Sequence, residues 1–146
     1  DSAASLPSQV REGVEPLIVP MQLTLNGRTY QDGRDLAPAA FYRMLREAEE
    51  PATTSSPSPL SFLEAFRAAA RDSSFILCLT VSPRLSSSYD SARTAAQVAK
   101  EEIPGAEIMV LDTESEAVWG VNTEAVYSGK GKWFRIQCTP QGGMHA

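Results

Sequence analysis

Apolar and polar positions along the chain change period several times, and each change marks an element. Residues 1–14 are polar and irregular. Pro16, Leu17, Ile18 and Val19 form an apolar run closed by Pro20, which predicts a short strand. From 21 to 31 the period is two: Met21, Leu23 and Leu25 fall on one face, Gln22 and Thr24 on the other. Asn26-Gly27 interrupts the alternation before Arg28, Thr29 and Tyr30. Such a pair supplies the two left-handed residues of a tight turn, so this stretch predicts a β-hairpin.

Helical periods follow. Asp35 precedes a helix over about 37–49, with Phe41, Leu45 and Ala48 as its apolar stripe, helped by Tyr42 and Met44. Residues 50–59 hold three prolines and five hydroxyl residues, which predicts a loop. Ser58-Pro59 starts the next helix: a hydroxyl cap, then the residue whose missing N–H is tolerated in a first turn. This helix reaches about 71, with Phe62, Leu63, Phe66 and Ala70 facing inward. Residues 75–81 are almost unbroken apolar, the pattern of a strand buried on both faces. A polar turn at 83–88 leads into an alanine-rich helix over 88–102, ended by Pro104-Gly105, and residues 108–111 form another buried strand. Helix, strand, helix, strand is the βαβ rhythm, so 75–81 and 108–112 are expected to be adjacent parallel strands joined by a right-handed crossover. The expected fold class is α/β: a mostly parallel sheet flanked by helices, with a small β-hairpin. After Asp112 the pattern weakens. Residues 114–126 are compatible with a helix, and 128–146 are Gly-rich without a period, apart from Trp133-Phe134-Arg135-Ile136. The tail from about 121 is expected to pack loosely, with that patch able to pair with a free sheet edge.

Composition narrows the function classes. The 146 residues fit one domain, and 42% hydrophobic with 21% charged is enough apolar material for a core. A net charge of −5 argues against a nucleic-acid partner, since Lys130, Lys132 and Arg135 are the nearest approach to a basic cluster. No apolar run approaches the roughly 20 residues that span a bilayer. The first residues lack the basic start and apolar stretch of a secretion signal. Cys78 and Cys138 are too few for a disulfide framework, and Cys78 lies in an apolar run as a small buried hydrophobe. A reducing cytoplasm suits this usage. The start at Asp1 rather than methionine fits a processed protein or a fragment.

Two hydroxyl-rich loops carry the candidate chemistry: Thr53-Thr54-Ser55-Ser56, and Ser86-Ser87-Ser88. Both feed helix N-termini, where backbone N–H groups are unpaired and the helix dipole favours an anion. The second also follows the carboxyl end of a strand, the usual ligand position in open α/β sheets. A small anion such as a carboxylate or phosphate suits this setting. The plainer reading is that Ser58 and the serines at 86, 87 and 88 only cap helices. Catalytic and metal alternatives find little support. His145 is the sole histidine, which disfavours a Ser-His-Asp hydrolase, and no His/Cys spacing suits a metal. Gly129-Lys130-Gly131-Lys132 lacks the strand and spacing of a phosphate loop. Asp32, Asp35 and Asp112 suit turns and caps, and no cofactor is expected.

Several stretches, in order, resemble the DegV family of bacterial fatty-acid-binding proteins. They are Asp1-Ser2-Ala3-Ala4-Ser5-Leu6-Pro7; Val19-Pro20-Met21-Gln22-Leu23; Gly27-Arg28-Thr29-Tyr30-Gln31-Asp32-Gly33; and Phe41-Tyr42. Thr53-Thr54-Ser55-Ser56-Pro57-Ser58-Pro59 is similar to the family's Thr-Ser-Gln-Pro-Ser loop, and Leu85-Ser86-Ser87-Ser88-Tyr89-Asp90-Ser91-Ala92 to its Leu-Ser-Gly-Thr-Tyr-Gln-Ser-Ala. Val110-Leu111-Asp112-Thr113 resembles its Val-Ile-Asp-Ser. The resemblance covers 1–113 and implies an N-terminal α/β lobe, with 114–146 a divergent, poorly ordered tail. It implies a long-chain fatty acid held between two lobes and presented, without catalysis by this subunit, to a fatty-acid kinase partner. It also implies that Thr54 and Ser86 hold the carboxylate, with Ser55, Ser87 and Ser88 as supporting donors. The chain departs from the pattern at Ser87, where the family has glycine, so the backbone there is expected to be less comfortable. It departs again at Ser56, where the family has Gln, and in lacking the first strand before Asp1 and the second lobe with its Arg-His partners. A truncated product without activity of its own, or a generic phosphate-binding α/β domain, are the competing readings; the latter lacks a glycine-rich loop after a strand.

Overall fold

A computed structural model describes residues 1–4, 16–112, 121–122 and 137–138. The hairpin forms where the alternation predicts it, with β1 at Gln22–Leu25 and β2 at Arg28–Gln31. Asn26 (φ 49°) and Gly27 (φ 72°) both occupy the left-handed region, and Leu25 pairs with Arg28 across the turn. The second edge of β1 pairs antiparallel with β3, Thr53–Ser55, giving the order β2-β1-β3. Residues 50–59 were expected to be loop throughout, and this strand corrects that. Two β-branched threonines suit extended backbone, and Pro51 and Pro57 fall just outside the paired residues, so no ladder hydrogen bond is lost to them.

The expected strand at 16–19 does not form. Both edges of β1 are occupied by β2 and β3, and the run bonds instead to the start of the chain. Ser2 N donates to the Val19 carbonyl (3.0 Å), and Met21 N donates to Ser2 Oγ (2.9 Å). Val19 is buried, whereas Leu17 is 57% exposed. Ser2 begins a 3₁₀ turn, Ser2–Ala4, beside the carboxyl end of β4, Phe75–Thr80. There Asp1 N donates to the Leu79 carbonyl (3.0 Å) and Asp1 Oδ2 accepts from Val81 N (3.4 Å). The opening residues thus stitch the hairpin sheet to β4.

The first helix, α1, spans Pro38–Glu47 and begins with proline in its first turn. Asp35 does not cap it; its carboxylate accepts from Gln31 N at 2.8 Å. The apolar stripe expected to face the core buries no residue, and Tyr42 and Leu45 stay exposed. By contrast α2, Pro59–Ala69, is capped by Ser58 Oγ accepting from Ser61 N (3.2 Å) and buries Phe62, Leu63 and Phe66. β4 runs parallel to β5, Glu107–Asp112, in register from Phe75↔Glu107 to Thr80↔Asp112, with α3, Ser88–Glu102, as the crossover. The α/β expectation holds.

Ala92, Ala95 and Ala99 turn one face of α3 into a smooth surface, each at most 1% exposed. Small side chains let α3 approach α2 and the strands closely, and Phe62, Phe66, Ile76, Cys78 and Val19 fill the space around them. β4 was expected to be buried on both faces. Among the described residues only one face is closed: Ile76, Cys78 and Thr80 are buried, while Phe75, Leu77 and Leu79 are half-buried. Arg67 pairs with Glu102 between α2 and α3, but both are exposed, so the pair contributes little. The candidate helix at 114–126 is interrupted where it is described: Val121–Asn122 (β6) pairs antiparallel with Gln137–Cys138 (β7). The patch from 133 to 136 lies outside the described residues. No helix among the described residues is long and apolar enough to cross a membrane.

Two outcomes follow from this core. Phe62→Ala removes a fully buried ring and is expected to cost about 3–5 kcal/mol in urea unfolding; a loss below about 1 kcal/mol would remove Phe62 from the centre of the core. Burial also pushes the Cys78 thiol up to about 11 from 9.0. Because the folded value is the higher, the stabilisation is complete below pH 9 and is lost as pH rises through 11. Relative to Cys78→Ala, the unfolding free energy should fall by about 1.4 kcal/mol per pH unit across that window. A flat difference between the two proteins would contradict the buried thiol.

Candidate functional site

The crossover fixes where the second hydroxyl loop lies. A helix linking two parallel strands starts near the carboxyl end of the first, so residues 81–88 gather at that end of β4. The turn is tight: Leu85 N and Ser86 N both donate to the Ser82 carbonyl, at 2.9 and 3.2 Å. Ser86 Oγ accepts from Ser88 N (3.2 Å), satisfying one of the donors that a helix start leaves open. Ser87, the residue before α3, makes no capping bond with its side chain. Its backbone (φ −80°, ψ 9°) is right-handed, so the position does not require glycine, and the expected discomfort is absent.

The first loop arrives on β3. Thr54 lies opposite Leu23, so it shares the face of β1 that carries the buried Met21, Leu23 and Leu25. Ser56 is one pleat further along the same face. Ser55 lies opposite exposed Gln22, on the other face. The two loops meet through Ser56: its Oγ is 2.8 Å from Ser86 Oγ, and Ser87 Oγ donates to it at 2.9 Å. Ser86 Oγ is in turn 3.0 Å from Ser88 Oγ, which donates to Met21 Sδ at 3.6 Å. Four hydroxyls therefore form one connected group, graded from exposed Ser87 to fully buried Ser88.

Of the expected site residues, Ser86, Ser87 and Ser88 are together in this group. Thr54 stands exposed on the shared face, one strand repeat from Ser56, about 7 Å. Its hydroxyl bonds to no other described residue. Ser56 is the member that loop composition alone did not single out. Its signal was the spacing of two from Thr54, which places both on one face once the segment is extended. Phe62, expected to face inward, belongs to the core. Among the described residues no cluster of His, Cys, Asp or Glu could hold a metal ion. Chemically, the group offers hydroxyl protons beside the first turn of α3, with Asp90 the one acidic residue of that turn. Such a place holds and orients a small acceptor group; it contains no nucleophile paired with a base.

Comparison with known proteins agrees with this architecture. Residues 1–119 match the model of the DegV family of uncharacterised proteins. A solved DegV family protein from Thermus thermophilus, described as fatty-acid binding, is 34% identical with a TM-score of 0.65, over 79% of this chain and 39% of that one. A stearic-acid-binding protein from Eubacterium ventriosum is 30% identical with a TM-score of 0.73, over 81% and 41%. The Fak B3 protein of fatty acid kinase from Streptococcus pneumoniae, loaded with linoleic acid, shares the fold at 24% identity and a TM-score of 0.60, over 73% and 34%. The chain spans 49% and 39% of the length of two curated DegV-domain relatives that it matches. With the family pattern matched over most of its length and the fold shared, this chain belongs to the DegV family.

Proposed function

We propose that this chain binds a long-chain fatty acid through its carboxylate, with Thr54 and Ser86 as the principal donors and Ser87 and Ser88 in support. The observation that carries the reading is the meeting of the two hydroxyl loops, Ser56 against Ser86, at the carboxyl end of β4. The relatives from Thermus thermophilus and Eubacterium ventriosum, described as fatty-acid binding and stearic-acid binding, support it independently. The role is binding, not catalysis. Presentation of the bound acid to a fatty-acid kinase partner is the further part of the proposal, supported by the likeness to the pneumococcal Fak B3 protein.

Magnitudes assign different tasks to headgroup and chain. Burying an acyl chain is worth about 0.8 kcal/mol per methylene, so roughly 10 kcal/mol gross for a long chain. Each hydroxyl bond to a carboxylate adds about 1.5–3 kcal/mol. Association costs about 4–15 kcal/mol. Chain burial therefore sets affinity, and the hydroxyls set orientation. In this reading the described residues contribute the headgroup loops.

Native mass spectrometry of the purified chain tests the reading. A co-purifying fatty acid is expected, and a Thr54→Ala, Ser86→Ala double variant should lose it. Lipid retained equally by the double variant would sink the carboxylate assignment. A wild-type chain that takes up no fatty acid, even when oleate is added, would overturn the fatty-acid reading for this chain.

A further inference from the structure

Resting on the carboxylate reading, we infer that Ser56 and Ser87 are positioning residues that act on the ligand through Ser86, the member at which a directed hydroxyl relay meets the ligand. The direction follows from proton counting. A hydroxyl carries one proton, and a thioether sulfur carries none. Ser88 must therefore be the donor to Met21 Sδ, and its proton is spent there. The 3.0 Å contact between Ser86 and Ser88 must then be donated by Ser86, and the 2.8 Å contact between Ser56 and Ser86 by Ser56. Ser87 donates to Ser56. The protons run one way: Ser87 to Ser56, Ser56 to Ser86, Ser86 to Ser88, Ser88 to the sulfur.

Ser86 is the point at which a carboxylate can enter this chain with least disturbance. Its oxygen already accepts two donors, the Ser56 hydroxyl and Ser88 N. Turning its own proton from Ser88 to a ligand leaves both of those bonds in place. Buried Ser88 keeps its proton on Met21, so no buried donor is orphaned. The upstream hydroxyls polarise Ser86 and strengthen the bond it gives, because hydrogen bonds in a head-to-tail series reinforce one another. The two upstream members meet as one contact, Ser87 on Ser56, at 2.9 Å.

The test is a titration of the 146-residue chain with oleate labelled with carbon-13 at the carboxyl carbon, followed by carbon NMR. Ser86→Ala should weaken binding about tenfold. Ser56→Ala and Ser87→Ala should each weaken it about twofold to fourfold. Ser87→Thr, which keeps the proton, should bind as the wild type does. In the Ser86→Ala background, neither Ser56→Ala nor Ser87→Ala should have any further effect. If Ser86→Ala weakens binding while both upstream variants are neutral, the relay is overturned and the carboxylate site stands. If the upstream variants weaken binding equally without Ser86, their role is structural, and the relay is overturned in the same way. An unaltered Ser86→Ala, or a wild-type chain that binds no oleate, removes the carboxylate reading and the relay with it.

Discussion

The close approach of one helix to a pair of parallel strands is the constraint on which this molecule rests. Three alanines, at 92, 95 and 99, make that approach geometrically available, and the aromatic rings of α2 close the space they leave. A larger residue at any of the three would force α3 outward, since a close-packed interior absorbs little added volume. The displacement would not stay in the core. The start of α3 carries Ser88, and Ser88 reaches Met21 at the end of the hairpin sheet. Alanines chosen for packing therefore also hold the hydroxyl group in place.

Two sheets that share no backbone ladder are joined at this end of the molecule by short polar contacts. Residues 1 and 2 bridge β4 to the Val19–Met21 backbone, and the serine group bridges β3 to the start of α3. Each such bond is worth about 1 kcal/mol net. The hydroxyl loops are thus held by contacts weaker than the bonds, about 1.5–3 kcal/mol each, that a hydroxyl gives to a charged acceptor, so exchanging one for the other has no net cost.

Much of this was legible in the sequence because local and tertiary preferences agreed. Asn26-Gly27 fixed a turn that only left-handed backbone permits, Ser58-Pro59 fixed a helix start, and the apolar runs at 75–81 and 108–111 marked the parallel pair. The failures share a cause: strand identity depends on which edges are free. The apolar run at 16–19 had no open partner and became a connector in which only Val19 is buried. The polar, proline-flanked Thr53–Ser55 was offered the free edge of β1 and paired. Ser86 could be named from its position after a strand. Ser56 could not, because its role depends on the pleat of a strand that composition argued against.

The connection between β2 and β3 has a different kind of consequence. Both strands flank β1, so the chain leaves and returns to the same place, and the excursion between them carries α1 with no side chain buried. A ten-residue helix of this kind is marginal in water without packing. Opening it would release little buried surface, and it can occur while the sheet and the serine group remain closed. Changing the length of the excursion is also cheap, since each doubling of a loop adds only about 0.6 kcal/mol of closure entropy. The architecture therefore separates a segment open to insertion, deletion and drift from a neighbouring one that is not, within a few residues of each other in sequence.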